Sequence, residues 1–109
     1  MAPALHSFII RDRKDAADIL EFHFSINLNL RKLILEYCYL GNDSTGLLAN
    51  VVALYPDLEV LSLEGSYPLK SAGYSHITHL KKLSELNLSY CQVDYIKPSE
   101  THVYIHLHM

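Results

Sequence analysis

The spacing Leu-x-x-Leu-x-Leu occurs three times, at Leu30-Leu33-Leu35, Leu58-Leu61-Leu63 and Leu83-Leu86-Leu88, and a looser form, Leu5-Phe8-Ile10, precedes them. Successive first positions lie 25, 28 and 25 residues apart. Self-similarity at such a period means that one structural unit is repeated, and that no unit can shelter its apolar side unless a neighbour stacks on it.

Each unit divides into two halves. The fourth and sixth positions alternate with more polar residues, the period of a strand with one buried face: Phe8 and Ile10, Leu33 and Leu35, Leu61 and Leu63, Leu86 and Leu88. A segment of helical spacing follows. In "DSTGLLANVVALYPD", Leu47, Leu48, Val51, Val52 and Tyr55 recur at threes and fours; Asp43 or Ser44 can cap the start, and Pro56 stops the continuation. "DAADILEFHF" turns Ala16, Ile19, Leu20 and Phe24 inward, and "SAGYSHITHLKK" does the same with Tyr74, Ile77 and Leu80, with Ser71 as the expected cap. Position nine, where the chain leaves the strand, is Cys38, Ser66 and Cys91 in the last three units, small side chains able to bond the backbone of a bend. The first unit has Arg13 there.

These residues carry a family resemblance. Leu-x-x-Leu-x-Leu-x-x-Cys-x-Leu at Leu30, Leu33, Leu35, Cys38 and Leu40, matched again with valine last at Leu83, Leu86, Leu88, Cys91 and Val93, resembles leucine-rich-repeat proteins of the ribonuclease-inhibitor-like and cysteine-containing types. "PLKSAGYSHITHLKKLSELNLSYC" is especially similar to the repeats of F-box leucine-rich-repeat proteins. The resemblance implies an α/β fold, a short solenoid coiled as a right-handed βα superhelix, with a parallel sheet on the concave face and helices on the convex face. The expected array spans 5–93, as units 5–29, 30–57, 58–82 and a partial 83–93. Residues 94–109 form an atypical tail or cap in which Val103, Ile105 and Leu107 alternate as in a strand. The family serves many partners on one scaffold, so the motif speaks for fold more than for function.

Composition bounds the rest. With 109 residues, half of them apolar, and a net charge of −3, the chain makes one small folded domain. Its nine Lys and Arg are scattered, which speaks against a nucleic-acid footprint. No stretch approaches the roughly 20 apolar residues of a membrane span, and the N-terminus lacks the order of a secretory signal. Two cysteines make no disulfide framework, so a cytoplasmic or nuclear setting is expected.

No cofactor, metal or catalytic site is expected. His76 with His79, and His102 with His106, have spacings that could share a metal, but a structural site takes about four ligands and no carboxylate or thiolate stands at a matching interval. Both cysteines fall on the turn position, where burial rather than reactivity is expected. What remains is the outward face of the strands, at positions three, five and seven. Its rows are Ser7, Lys32, Val60, Glu85; Ile9, Ile34, Ser62, Asn87; and Arg11, Glu36, Glu64, Ser89, with Tyr37 and Tyr90 on the rim. Ile9 and Ile34 are expected to adjoin as an exposed apolar pair inside a polar and aromatic frame, the pattern used to bind proteins. The expectation is a non-enzymatic interaction module that takes a protein partner on this face. The alternative is a fragment or splice form of a larger F-box-type or receptor-type adaptor. End units presenting apolar residues and free strand edges also predict end-to-end self-association.

Overall fold

The computed structural model describes residues 6–26 and 29–92, together with a strand at 104–106. Strand and helix alternate along the chain: β1 (Ser7–Arg11), α1 (Ala16–Phe24), β2 (Lys32–Glu36), α2 (Ser44–Leu54), β3 (Val60–Ser62), α3 (Ser71–Ile77), β4 (Glu85–Asn87) and β5 (Tyr104–His106). The strands lie in sequence order in one open sheet, and every pairing is parallel. β5 aligns Ile105 with Leu86. Val103 and Leu107 lie outside the described residues.

Register follows the leucine spacing. Phe8, Leu33, Leu61 and Leu86 stand side by side across four strands, so the fourth position of each unit forms one row. Leu33, Leu61 and Leu86 are buried, as are Leu35, Leu63 and Leu88 at the sixth position and Leu30, Leu58 and Leu83 at the first. Each fully buried leucine contributes about 1.5–3 kcal/mol relative to an exposed one, and together they form one continuous cluster with Leu20, Leu48, Val51, Tyr55, Tyr74, Ile77 and Leu80 from the helices and the segments that follow them.

The backbone repeats as closely as the side chains. At the strand entrances the carbonyl of position two accepts two N–H groups of the next unit: His6 from Arg31 and Lys32, Arg31 from Glu59 and Val60, Glu59 from Ser84 and Glu85. At the exits, position eight is left-handed in all four units: Asp12, Tyr37, Gly65 and Tyr90 have φ of 54°, 54°, 65° and 61°. This bend aims the N–H of position eight at position seven of the next strand, with Asp12, Tyr37 and Gly65 donating to the carbonyls of Glu36, Glu64 and Ser89. Position nine then reaches back. Cys38 Sγ, Ser66 Oγ and Cys91 Sγ donate to the sixth-position carbonyls of Ile10, Leu35 and Leu63 at 3.5, 2.6 and 2.8 Å. In the first unit the Arg13 guanidinium makes two bonds of 2.8 Å to Asp15.

The helices form much as their spacing predicts. Asp43 caps α2, its Oδ1 accepting the Gly46 N–H at 3.0 Å, and Tyr55 ends the run before Pro56. Ser71 does not cap α3: Lys70 occupies that position in extended conformation without a side-chain bond, and Ser71 is the first helical residue. Gly73 is buried where α3 meets α2; a β-carbon there would stand 3.0 Å from Leu48 Cδ1, so glycine sets the approach of the two helices.

Under α1 lies a polar pair that the periodicity did not announce. His23 Nδ1 and the Tyr55 hydroxyl share a buried hydrogen bond of 2.8 Å, and Phe8 stacks on the imidazole at 4.0 Å. Burial lowers the His23 pKa and pushes the Tyr55 phenol up to about 12, so both are neutral at ordinary pH.

Candidate functional site

Because side chains alternate along a strand, burying positions four and six turns positions three, five and seven to the opposite face. Register then sets Ile9, Ile34, Ser62 and Asn87 in one row, and Lys32, Val60 and Glu85 in the row beside it. Of the fourteen outward and rim residues, nine line one open concavity of about 250 Å³: Ile9, Arg11, Lys32, Ile34, Glu36, Val60, Ser62, Glu85 and Asn87. Glu64, Tyr37 and Tyr90 stand at its strand-exit side.

Polar bonds cross the strands. Arg11 Nε donates to Glu36 Oε1 at 2.7 Å, and Ser62 Oγ donates to Glu36 Oε2 at 3.4 Å, so the half-buried carboxylate is held from both neighbouring strands. Hydrogen bonding and charge from Glu36 raise the Arg11 pKa above its ordinary value. Farther along, Asn87 Nδ2 donates to Glu64 Oε1 at 3.3 Å, while Asn87 Oδ1 accepts the Ser89 N–H at 2.9 Å. Glu36 and Glu64 are thus held as acceptors. Across the face, the cations Arg11 and Lys32 lie on β1 and β2, and the anions Glu64 and Glu85 toward β3 and β4.

The expected exposed pair does not form. Ile9 is 49% exposed, but Ile34 is only 7% exposed although it points to the same face. The reason lies in strand order: Ile34 sits mid-strand on β2, flanked in register by Ile9 and Ser62, whereas Ile9 is on the edge strand with one neighbour. Ser62 and Ser89 are buried as well. Outward direction on a flanked strand does not guarantee access.

Tyr37 and Tyr90 are about half exposed and do stand at the rim. The Tyr37 ring lies over Gly65; a β-carbon at that glycine would collide with the ring carbons Cδ1 and Cε1. Desolvation, then the neighbouring Glu64, keeps the Tyr37 phenol protonated above its ordinary pKa of 10. Two further tyrosines join them. Tyr39 and Tyr67, each at position ten, form an isolated parallel bridge with ring centroids 5.5 Å apart. Tyr67 and Tyr90 line a second concavity of about 520 Å³ with Pro68, Lys70 and Gln92. The signal for this pair was present in the sequence, as the same letter one residue after position nine in consecutive units.

The groups that could have carried chemistry are otherwise engaged. Cys38 and Cys91 are free but buried, and burial raises both thiol pKa values, the opposite of an activated nucleophile. His79 Nδ1 is bonded to the Ser75 carbonyl at 3.0 Å. Among the described residues, no three His, Cys, Asp or Glu side chains come together as a metal would need. His102 lies outside those residues. No helix among them is long and apolar enough to cross a membrane. The chain matches no protein-family model, no curated protein and no solved structure.

Proposed function

We propose that the chain is a short leucine-rich-repeat solenoid, a right-handed βα superhelix, and that it works as a non-enzymatic interaction module taking a protein partner on its concave sheet. The solenoid reading is supported by backbone features that recur unit by unit: the doubly accepting carbonyl at position two, the left-handed residue at position eight and the back-bonding side chain at position nine. The observation that carries the functional reading is the concavity, which gathers nine outward residues from four consecutive strands onto one rigid sheet. A pre-formed surface of this kind binds without ordering loops, which lowers the entropic cost of association. Its anchors are Tyr37 and Tyr90 rather than Ile34, which is covered. Cations at one side and carboxylates at the other fix the orientation of the partner. Two buried, unbridged thiols fit a reducing compartment, cytoplasmic or nuclear.

The test is affinity capture with three forms: wild type, Lys32→Glu combined with Tyr37→Gly on the sheet, and Glu21→Lys on α1. The glycine preserves the left-handed bend at position 37. Partners should survive the helix substitution and disappear with the sheet pair. Equal recovery by all three forms would remove the sheet from consideration.

A further inference from the structure

Among the described residues, large aliphatic and phenylalanine side chains are exposed at one end of the sheet. Ile9 on β1, Phe22 on α1 and Ile26, two residues past the end of α1, are 49%, 67% and 64% exposed; the other large exposed apolar side chains among the described residues are tyrosines at the strand exits. A helix turns about 100° per residue, so the position of each α1 residue around the axis can be read from its number. Ala16, Leu20 and His23 are the buried strip. On one side of that strip, Ala17 and Phe24 face the second unit: Ala17 Cβ lies 3.5 Å from where a β-carbon on Gly41 would stand, and the Phe24 ring is 5.6 Å from that of Tyr55. On the other side come Ile19 and Phe22, the flank facing away from α2, and Ile26 follows in the turn after the helix, its N–H donating to the His23 carbonyl at 3.1 Å.

The same end carries the outer edge of β1, which among the described residues pairs only with β2. The His6 carbonyl accepts the Lys32 N–H and the Asp12 N–H donates to the Glu36 carbonyl, so Phe8 and Ile10 between them also turn their peptide groups toward β2. Ser7, Ile9 and Arg11 therefore turn theirs outward. That edge is self-complementary. With Ile9 opposite Ile9 of a second copy in antiparallel register, Ser7 falls opposite Arg11 and Arg11 opposite Ser7. All three are hydrogen-bonded pairs that use every outward group, and no like charges oppose one another. A two-fold axis through Ile9, perpendicular to the sheet, keeps both α1 helices on the same side and brings together their Ile19 and Phe22 flanks and the Ile26 that follows each.

We propose that the chain forms a two-fold dimer through the β1 edge and this flank of α1. A whole aromatic side chain carries about 150–250 Å², so the three exposed anchors, at about 100–150 Å² each, hide roughly 600–900 Å² over two copies. The strand edges, with half-buried Phe8 and Ile19, bring the total toward the lower end of the roughly 1,200–2,000 Å² of stable interfaces. An area at that end suits a reversible dimer rather than an obligate one. This inference does not rest on the partner-binding reading of the sheet.

Sedimentation velocity of the full chain, across about two decades of concentration around the micromolar range, should show a monomer passing to a dimer and no further. Phe22→Glu, at an exposed helix position, should weaken the association at least tenfold, while Tyr67→Ser at the strand exits should leave it unchanged. Ile9→Cys, treated with oxidised glutathione, should give a disulfide-linked dimer, because the axis sets each residue 9 against its own copy; this readout does not depend on Phe22→Glu folding. A wild-type monomer over the whole range, an open series of larger oligomers, association indifferent to Phe22→Glu, or Ile9→Cys that fails to cross-link would each overturn the proposal.

Discussion

Gly65→Ala tests the strand-exit geometry most directly, because two separable penalties meet at one methyl group. The backbone there has φ of 65°, a region that costs a residue with a β-carbon about 1–2 kcal/mol. The new carbon would also strike the Tyr37 ring, which lies across the glycine. That ring is about half exposed and can swing aside, so the added cost is that of an off-rotamer side chain, about 0.5–1.5 kcal/mol, rather than of a forced backbone shift. The single variant should therefore lose about 1.5–3.5 kcal/mol. In a Tyr37→Ala background the ring is gone, and the same substitution should cost only the backbone part, about 1–2 kcal/mol. Urea unfolding followed by far-UV circular dichroism suits a chain with no tryptophan, and an unchanged denaturant slope would show that stability rather than compactness had moved. The difference between the two backgrounds is the coupling energy. A loss below about 0.5 kcal/mol would contradict the left-handed bend. Equal losses in both backgrounds would mean that the Tyr37 ring does not cover Gly65.

Two further outcomes follow from the buried polar groups. Ser66 Oγ accepts the Cys38 N–H at 3.1 Å while donating to the Leu35 carbonyl, so Ser66→Ala orphans two buried backbone groups at about 1–3 kcal/mol each, and Ser66→Cys, which copies positions 38 and 91, should cost markedly less; similar melting of the two variants would deny the bond its role. His23 titrates below its ordinary 6.5 because it is buried. Above pH 6.5 the imidazole is neutral both folded and unfolded. Below it the unfolded chain takes up a proton that the folded chain resists, so stability should fall as pH drops through the depressed pKa. His23→Phe should flatten that part of the unfolding profile, and an unchanged slope would assign the acid sensitivity elsewhere.

What could be foreseen divides along a physical line. Positions one, four and six were legible because burial constrains side-chain type, and leucine recurs wherever the sheet faces the helices. Position eight was not legible, because its constraint falls on the backbone, and Asp12, Tyr37, Gly65 and Tyr90 share a dihedral angle but no single side-chain type. Only the glycine advertised it, and glycine is also what the Tyr37 ring requires there. Ser71 misled as a cap because the chain enters α3 one residue early, with Lys70 extended before it. His23 was hidden for a related reason. A polar letter in an apolar strip reads as a surface residue, and it is tolerable here only because Tyr55, 32 residues away, supplies the hydrogen bond. At the candidate site the period of two gave direction correctly, but direction differs from access: Ile34 and Ile9 point the same way, and only the one without a second neighbour remains open. In a parallel sheet only a few strands wide, the most reachable apolar residues therefore belong to the edge strand and its helix. Among the described residues, that places the strongest apolar anchors at the β1 end of the sheet, on the edge and helix flank assigned to the two-fold contact.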